Sequence, residues 1–128
     1  MAEFSNYLEN KVLDHVLRNT SYTSPTTVYV GLFTSDPTDA GTGTEVSGGS
    51  YARQTLSVTT ASGGIVTSSA DVTFPQATAQ WGTITHLGLL DAITSGNLLM
   101  HTALTTSKSI DNGDILKISS GNLTVTLD

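Results

Sequence analysis

The apolar residues change period near residue 20, and that change limits what the chain can fold into. Before it, Phe4, Leu8, Val12 and Val16 recur every four residues, with Leu13 and Leu17 beside them and Tyr7 extending the stripe. That spacing predicts an amphipathic helix over about residues 4–18. Asn6 with Glu9 three residues on suits a cap at its start. Asn19 suits a left-handed residue at its end. The helix has one dry face, which must be covered by the chain's own sheet or by a neighbour.

Beyond residue 20 the apolar period is two. Residues 27–33 are rich in β-branched and aromatic side chains. Extended runs are predicted at 51–59, 65–67, 71–74, 83–91, 98–104, 115–118 and 123–127. Thr94-Ser95-Gly96-Asn97 predicts a hairpin turn. Ser62-Gly63-Gly64, Asp111-Asn112-Gly113-Asp114 and Gly121-Asn122 mark further turns. Gly88 inside a strand predicts a bulge or a close backbone approach. Residues 34–50 form a long loop with Pro37 and four glycines and almost no apolar side chains. Loops of this length are commonly functional or mobile. Seven to nine short strands without βα alternation predict a mainly β fold. The expected architecture is an antiparallel β-sandwich, jelly-roll-like or barrel-like, with one N-terminal amphipathic α-helix. Length sets one domain over residues 1–128, with the β part from about residue 26. The 15 Ser and 22 Thr suit solvent-facing strand positions, which stay polar without charge.

Charge narrows the function classes. Five Lys and Arg against eleven Asp and Glu give a net charge of −6. Lys11, Arg18, Arg53, Lys108 and Lys117 are scattered, which argues against nucleic acid as a partner. No apolar run approaches the roughly 20 residues that cross a bilayer, so no membrane partner is expected. The start MAEFSNYLEN lacks the pattern of a signal peptide, and the chain reads as soluble and folded in the cytosol. With no cysteine, disulfides and thiolate metal sites are excluded.

Candidate chemistry is sparse. His86 and His101 lie on the two arms of the predicted hairpin and can approach each other, while His15 lies on the helix. A zinc site there needs a third ligand that spacing does not supply, so hydrogen-bonded strand histidines are the favoured reading. Asp36, Asp39 and Glu45 in the long loop invite a cation, yet EF-hand spacing is missing and Asp36-Pro37 also starts ordinary turns. No G-x-S-x-G elbow or phosphate loop occurs. The expectation is therefore no enzyme, with no catalytic, cofactor-binding or metal residues. Trp81 is read as core rather than as a ligand platform.

Several stretches together carry a family resemblance. They are Leu8-Glu9-Asn10-Lys11 with Leu13-Asp14-His15, Tyr29-Val30-Gly31-Leu32-Phe33-Thr34, and the loop from Asp36-Pro37 to Glu45-Val46. Tyr51-Ala52-Arg53-Gln54, Ala70-Asp71-Val72-Thr73-Phe74-Pro75, Trp81-Gly82-Thr83-Ile84-Thr85-His86 and Gly96-Asn97-Leu98-Leu99 complete them. The chain resembles a family of small tailed-phage virion proteins, described as tail-fibre-like or head decoration proteins. The resemblance implies a structural protein of the virion, made in the host cytoplasm and forming a homo-oligomer. The first reading is a decoration or cement protein that binds the outside of the major capsid protein lattice and stabilises it. The alternative is a tail or baseplate component, such as a tail-fibre adaptor. A carbohydrate-binding module is the third reading, weakened by the few aromatic residues. Contacts are expected from residues 34–50 and from the residues before the helix, both able to order on binding.

Overall fold

The computed structural model describes residues 2–127. Strand β2 (Val28–Phe33) ends in four buried residues, so both of its faces are covered there. It pairs antiparallel with β3 (Gln54–Leu56) on one side and β6 (Gly82–Leu90) on the other. β6 continues into β7 (Leu98–Ile110) through the predicted hairpin. Ser95 and Gly96 adopt φ of 54° and 77° in its turn. The Asp91 carboxylate closes that turn by accepting from the Asn97 backbone N–H at 2.7 Å and side-chain amide at 3.0 Å. A two-residue strand, β1 (Glu3–Phe4), pairs with β7 and completes a five-stranded sheet in the order β1-β7-β6-β2-β3.

Two antiparallel ribbons form a second layer. They are β4 (Ile65–Thr67) with β9 (Thr124–Thr126), and β5 (Val72–Thr73) with β8 (Lys117–Ile118). Val30, Leu32, Leu87 and Leu89 of the sheet meet Val72, Phe74, Leu123 and Val125 in one core, to which Trp81 belongs. The arrangement is sandwich-like. Of the architectures expected, the barrel-like one is not adopted, because β1 and β3 remain the two edges of the main sheet.

Strand lengths depart most from the sequence expectation in two places. β7 runs to Ile110 rather than ending at residue 104. The polar stretch Thr105–Ser109 has no alternation to announce a strand, yet the strand runs through it, and beyond an irregularity at Ile84/His86 Lys108–Ile110 pair with Gly82–Ile84. β3 shrinks to three residues because it pairs only with Val28–Val30.

The helix, α1, spans Asn6–Leu17. Its cap is Ser5, not Asn6: Ser5 has extended backbone, and its Oγ accepts from the Leu8 N–H at 3.2 Å. The reason is β1. Residues 3 and 4 are held as strand, so the chain can only turn into helix at Ser5. The Ser5 hydroxyl also donates to the Leu98 carbonyl, and its N–H donates to the Leu99 carbonyl at 2.9 Å. At the other end Asn19 is left-handed as predicted, with φ 55°. No helix among the described residues is long and apolar enough to cross a membrane.

Gly31 and Gly88 face each other across β2 and β6. A Cβ on Gly88 would lie 2.6 Å from the Phe33 ring, and one on Gly31 would lie 3.0 Å from the Glu45 carboxylate. Gly88 thus marks the close approach that its place in a strand predicts. The two glycines make room on this face for what lies over it, the loop of residues 34–50.

Candidate functional site

Residues 34–50 are a fastened loop. Thr34 and Thr44 bond through the backbone at 2.9 Å, and the Thr42 N–H donates to the Pro37 carbonyl at 2.7 Å. Asp36 accepts from the Thr38 N–H at 2.8 Å, the turn geometry predicted for Asp36-Pro37. Pro37 and Val46 are buried. Gly43 packs so closely that an added Cβ would sit 2.6 Å from the Pro37 Cα and 2.7 Å from the Asp36 carbonyl oxygen. Backbone atoms cannot swing aside as a side-chain tip can. Gly43→Ala is therefore expected to lose about 2–3 kcal/mol in urea unfolding and to speed amide exchange at Thr42 and Thr44.

One ion pair ties this loop to two other segments. Arg53 grips Glu45 in a fork, Nε to Oε2 at 2.8 Å and Nη2 to Oε1 at 2.7 Å. Its Nη1 donates to the carbonyls of Ala92 at 2.7 Å and Ser95 at 2.8 Å, in the β6–β7 turn. The Tyr51 hydroxyl donates to Glu45 at 2.6 Å and accepts from the Leu32 N–H at 2.9 Å. Burial, then the bond to Glu45, push the Tyr51 phenol well above its ordinary pKa, so it remains a donor. Glu45 is thereby spoken for, and it does not join Asp36 and Asp39 as a cation ligand.

Asp36 and Asp39 turn instead to the hairpin histidines. His101, on β7, is 6% exposed, and its Nε2 stands 2.8 Å from Asp39 Oδ1. Glu3 lies directly across from His101 in the β1–β7 register, with Oε2 at 3.9 Å from the same nitrogen. Asp36 Oδ1 sits between the two imidazoles, 3.8 Å from His101 Nδ1 and 3.9 Å from His86 Nε2. His86 Nδ1 meets the Thr85 hydroxyl at 2.8 Å. The ligand atoms of Glu3, Asp39 and His101 lie within 4.8 Å of one another. Among the described residues this is the group whose geometry could hold a metal, and Glu3 is the member that hairpin spacing could not supply.

The third feature is the far half of α1. Leu8 is the helix's buried residue, and the helix packs on β7 and β1. Leu13, Val16 and Leu17 are 53%, 67% and 74% exposed. Their i, i+3, i+4 spacing places them side by side, so the stripe read as a dry face is bare for its last turn and a half. Single exposed aliphatics are ordinary, whereas a contiguous group on one helix face is a candidate interaction surface. Elsewhere Trp81 is core as predicted, donating from Nε1 to the Gly49 carbonyl at 2.9 Å and meeting Tyr51 edge-on at 5.4 Å. His15 lies on the exposed side of α1, with Nδ1 at 3.3 Å from the Thr20 carbonyl.

A search of curated proteins returns no match. A family model described as Podophage GP4 fiber I protein gp80 matches residues 3–126. That match takes in β1, the bare helix, the fastened loop and every strand of both layers. The chain belongs to this family of small phage virion structural proteins.

Proposed function

We propose that the chain is a non-enzymatic, fibre-associated component of a phage tail, seated on a neighbouring virion protein through the exposed face of α1. The observation that carries this reading is the contiguous group Leu13, Val16 and Leu17 on an otherwise ordered domain. Covering those three side chains would contribute about 3–6 kcal/mol of apolar stabilisation before the costs of association. The family description names a fibre protein, which supports a tail location over the capsid-cement role first expected. Fibres repeat one interface about an axis, so a small homo-oligomer belongs to the reading.

The test is copy number in assembled virions, for the native chain and for Leu13→Glu/Leu17→Glu. A tail component is present at a few to a few tens of copies, and the double variant should be missing from particles. Because both positions are exposed, the isolated variant should keep its stability within about 0.5 kcal/mol. Hundreds of copies in simple ratio to the capsid protein would overturn the tail assignment. Normal incorporation of the variant would overturn the helix as the docking face.

A further inference from the structure

We propose that Glu3, Asp39 and His101 bind one divalent cation of the zinc class, and that this ion pins the N-terminal arm to the sheet. Four observations support it. First, the donors converge from three separate segments, β1, the loop and β7, with their ligand atoms within 4.8 Å. Ligands at zinc–nitrogen and zinc–oxygen distances stand about 3.3–3.6 Å apart in a tetrahedron. The observed separations from His101 Nε2, 2.8 Å to Asp39 and 3.9 Å to Glu3, bracket that value. Bringing all three donors to that spacing takes shifts of roughly half an ångström or more, which two exposed carboxylates can make.

Second, the imidazole is held in place. His101 is 6% exposed, so its Nε2 is presented at a fixed position while the carboxylates remain free to adapt. Third, a carboxylate lies near the ring's other nitrogen, just beyond hydrogen-bonding distance. Metal-bound histidines commonly direct the other ring nitrogen at a carboxylate, which fixes the ring and strengthens the ligand. Asp36 Oδ1 stands 3.8 Å from His101 Nδ1, on that side of the ring. Fourth, open space adjoins the site. Glu3, Asp36, His86 and His101 line a solvent-open cavity of about 200 Å³, and Asp39 lies outside its lining.

The ligand chemistry selects among metals. One imidazole with carboxylates suits zinc, cobalt or nickel, whereas calcium and magnesium take oxygen ligands. The consequence is mechanical: Glu3 immediately precedes the segment Phe4-Ser5 that leads into α1. An ion across Glu3 and His101 would brace the base of the helix. This inference stands apart from the question of where in the virion the chain sits.

The experiment uses untagged full chain freed of metal with a chelator, with His15→Ala as background to remove the exposed helical imidazole. Zinc is titrated calorimetrically, and melting is followed with zinc, calcium or magnesium. One equivalent of zinc should bind, and at saturation Tm should rise by roughly 5 °C, with little change in calcium or magnesium. Glu3→Gln/Asp39→Asn alters only exposed side chains and should weaken zinc binding at least tenfold while the chain stays folded. X-ray absorption at the zinc edge should show one nitrogen ligand among oxygens. Absence of stoichiometric zinc binding would overturn the proposal. So would unchanged affinity in the double variant, which would reveal an adventitious ion only, or an equal rise in Tm with calcium, which would make the site one of carboxylates alone.

Discussion

Arg53→Ala is expected to melt roughly 12 °C below the native chain. The Arg53 side chain is 8% exposed, and its guanidinium makes four hydrogen bonds, two to Glu45 and two to backbone carbonyls of the β6–β7 turn. Its removal strands a carboxylate that is itself only 22% exposed, leaving it the Tyr51 hydroxyl. Breaking one side of such a pair costs about 3 kcal/mol, because the remaining charge stays desolvated. In a domain of this size each kcal/mol moves Tm by about 4 °C. Arg53→Lys keeps the charge but not the planar fork, so it should fall between the two. Removing both charges with Glu45→Met/Arg53→Met should cost less than Arg53→Ala alone. A loss under about 3 °C for Arg53→Ala would mean that the clamp does not hold the loop.

Phe74→Ala is expected to lose about 3–5 kcal/mol in urea unfolding. Phe74 is 1% exposed and stacks on Tyr51, with ring centroids 6.2 Å apart and planes 9° from parallel. It joins the ribbon layer to the residue that orients Glu45, so the cavity opens beneath the loop anchor. Phe74→Leu fills most of that volume and should lose about 1.5 kcal/mol. Since domains are stable by about 5–15 kcal/mol, the alanine variant would forfeit a third or more of the total in a marginal case. Equal losses for the two variants would show that ring stacking, not volume, is what matters.

The parts of this fold that sequence makes legible are those with a repeat. β-branched and aromatic enrichment at 27–33 announces β2, alternation at 123–127 announces β9, and turn chemistry at 94–97 announces the β6–β7 hairpin. The helix stripe is legible too, but periodicity says which side is apolar and not which molecule covers it. Leu13, Val16 and Leu17 belong to the stripe that periodicity marks as dry, and they stand in solvent. The loop misleads for the opposite reason. Its glycines suggest mobility, whereas its order comes from backbone hydrogen bonds and from Arg53, which carries no local signal. The histidine–carboxylate group was half visible. His86 and His101 are linked by their hairpin, but Asp39 and His101 are 62 residues apart, and Glu3 joins them only because β1 exists. A two-residue strand is too short for any pattern to reveal.

The two outermost strands of the main sheet are short: β1 offers two residues and β3 three. Strand addition needs a long row of free backbone groups, and neither of these strands provides one. β1 covers β7 only at Met100 and His101, so the threonine-rich stretch beyond them is the longer length of strand on that side. Within it Lys108 is exposed, and a charge set into an edge opposes the flat, neutral pairing by which sheets extend from one molecule to the next.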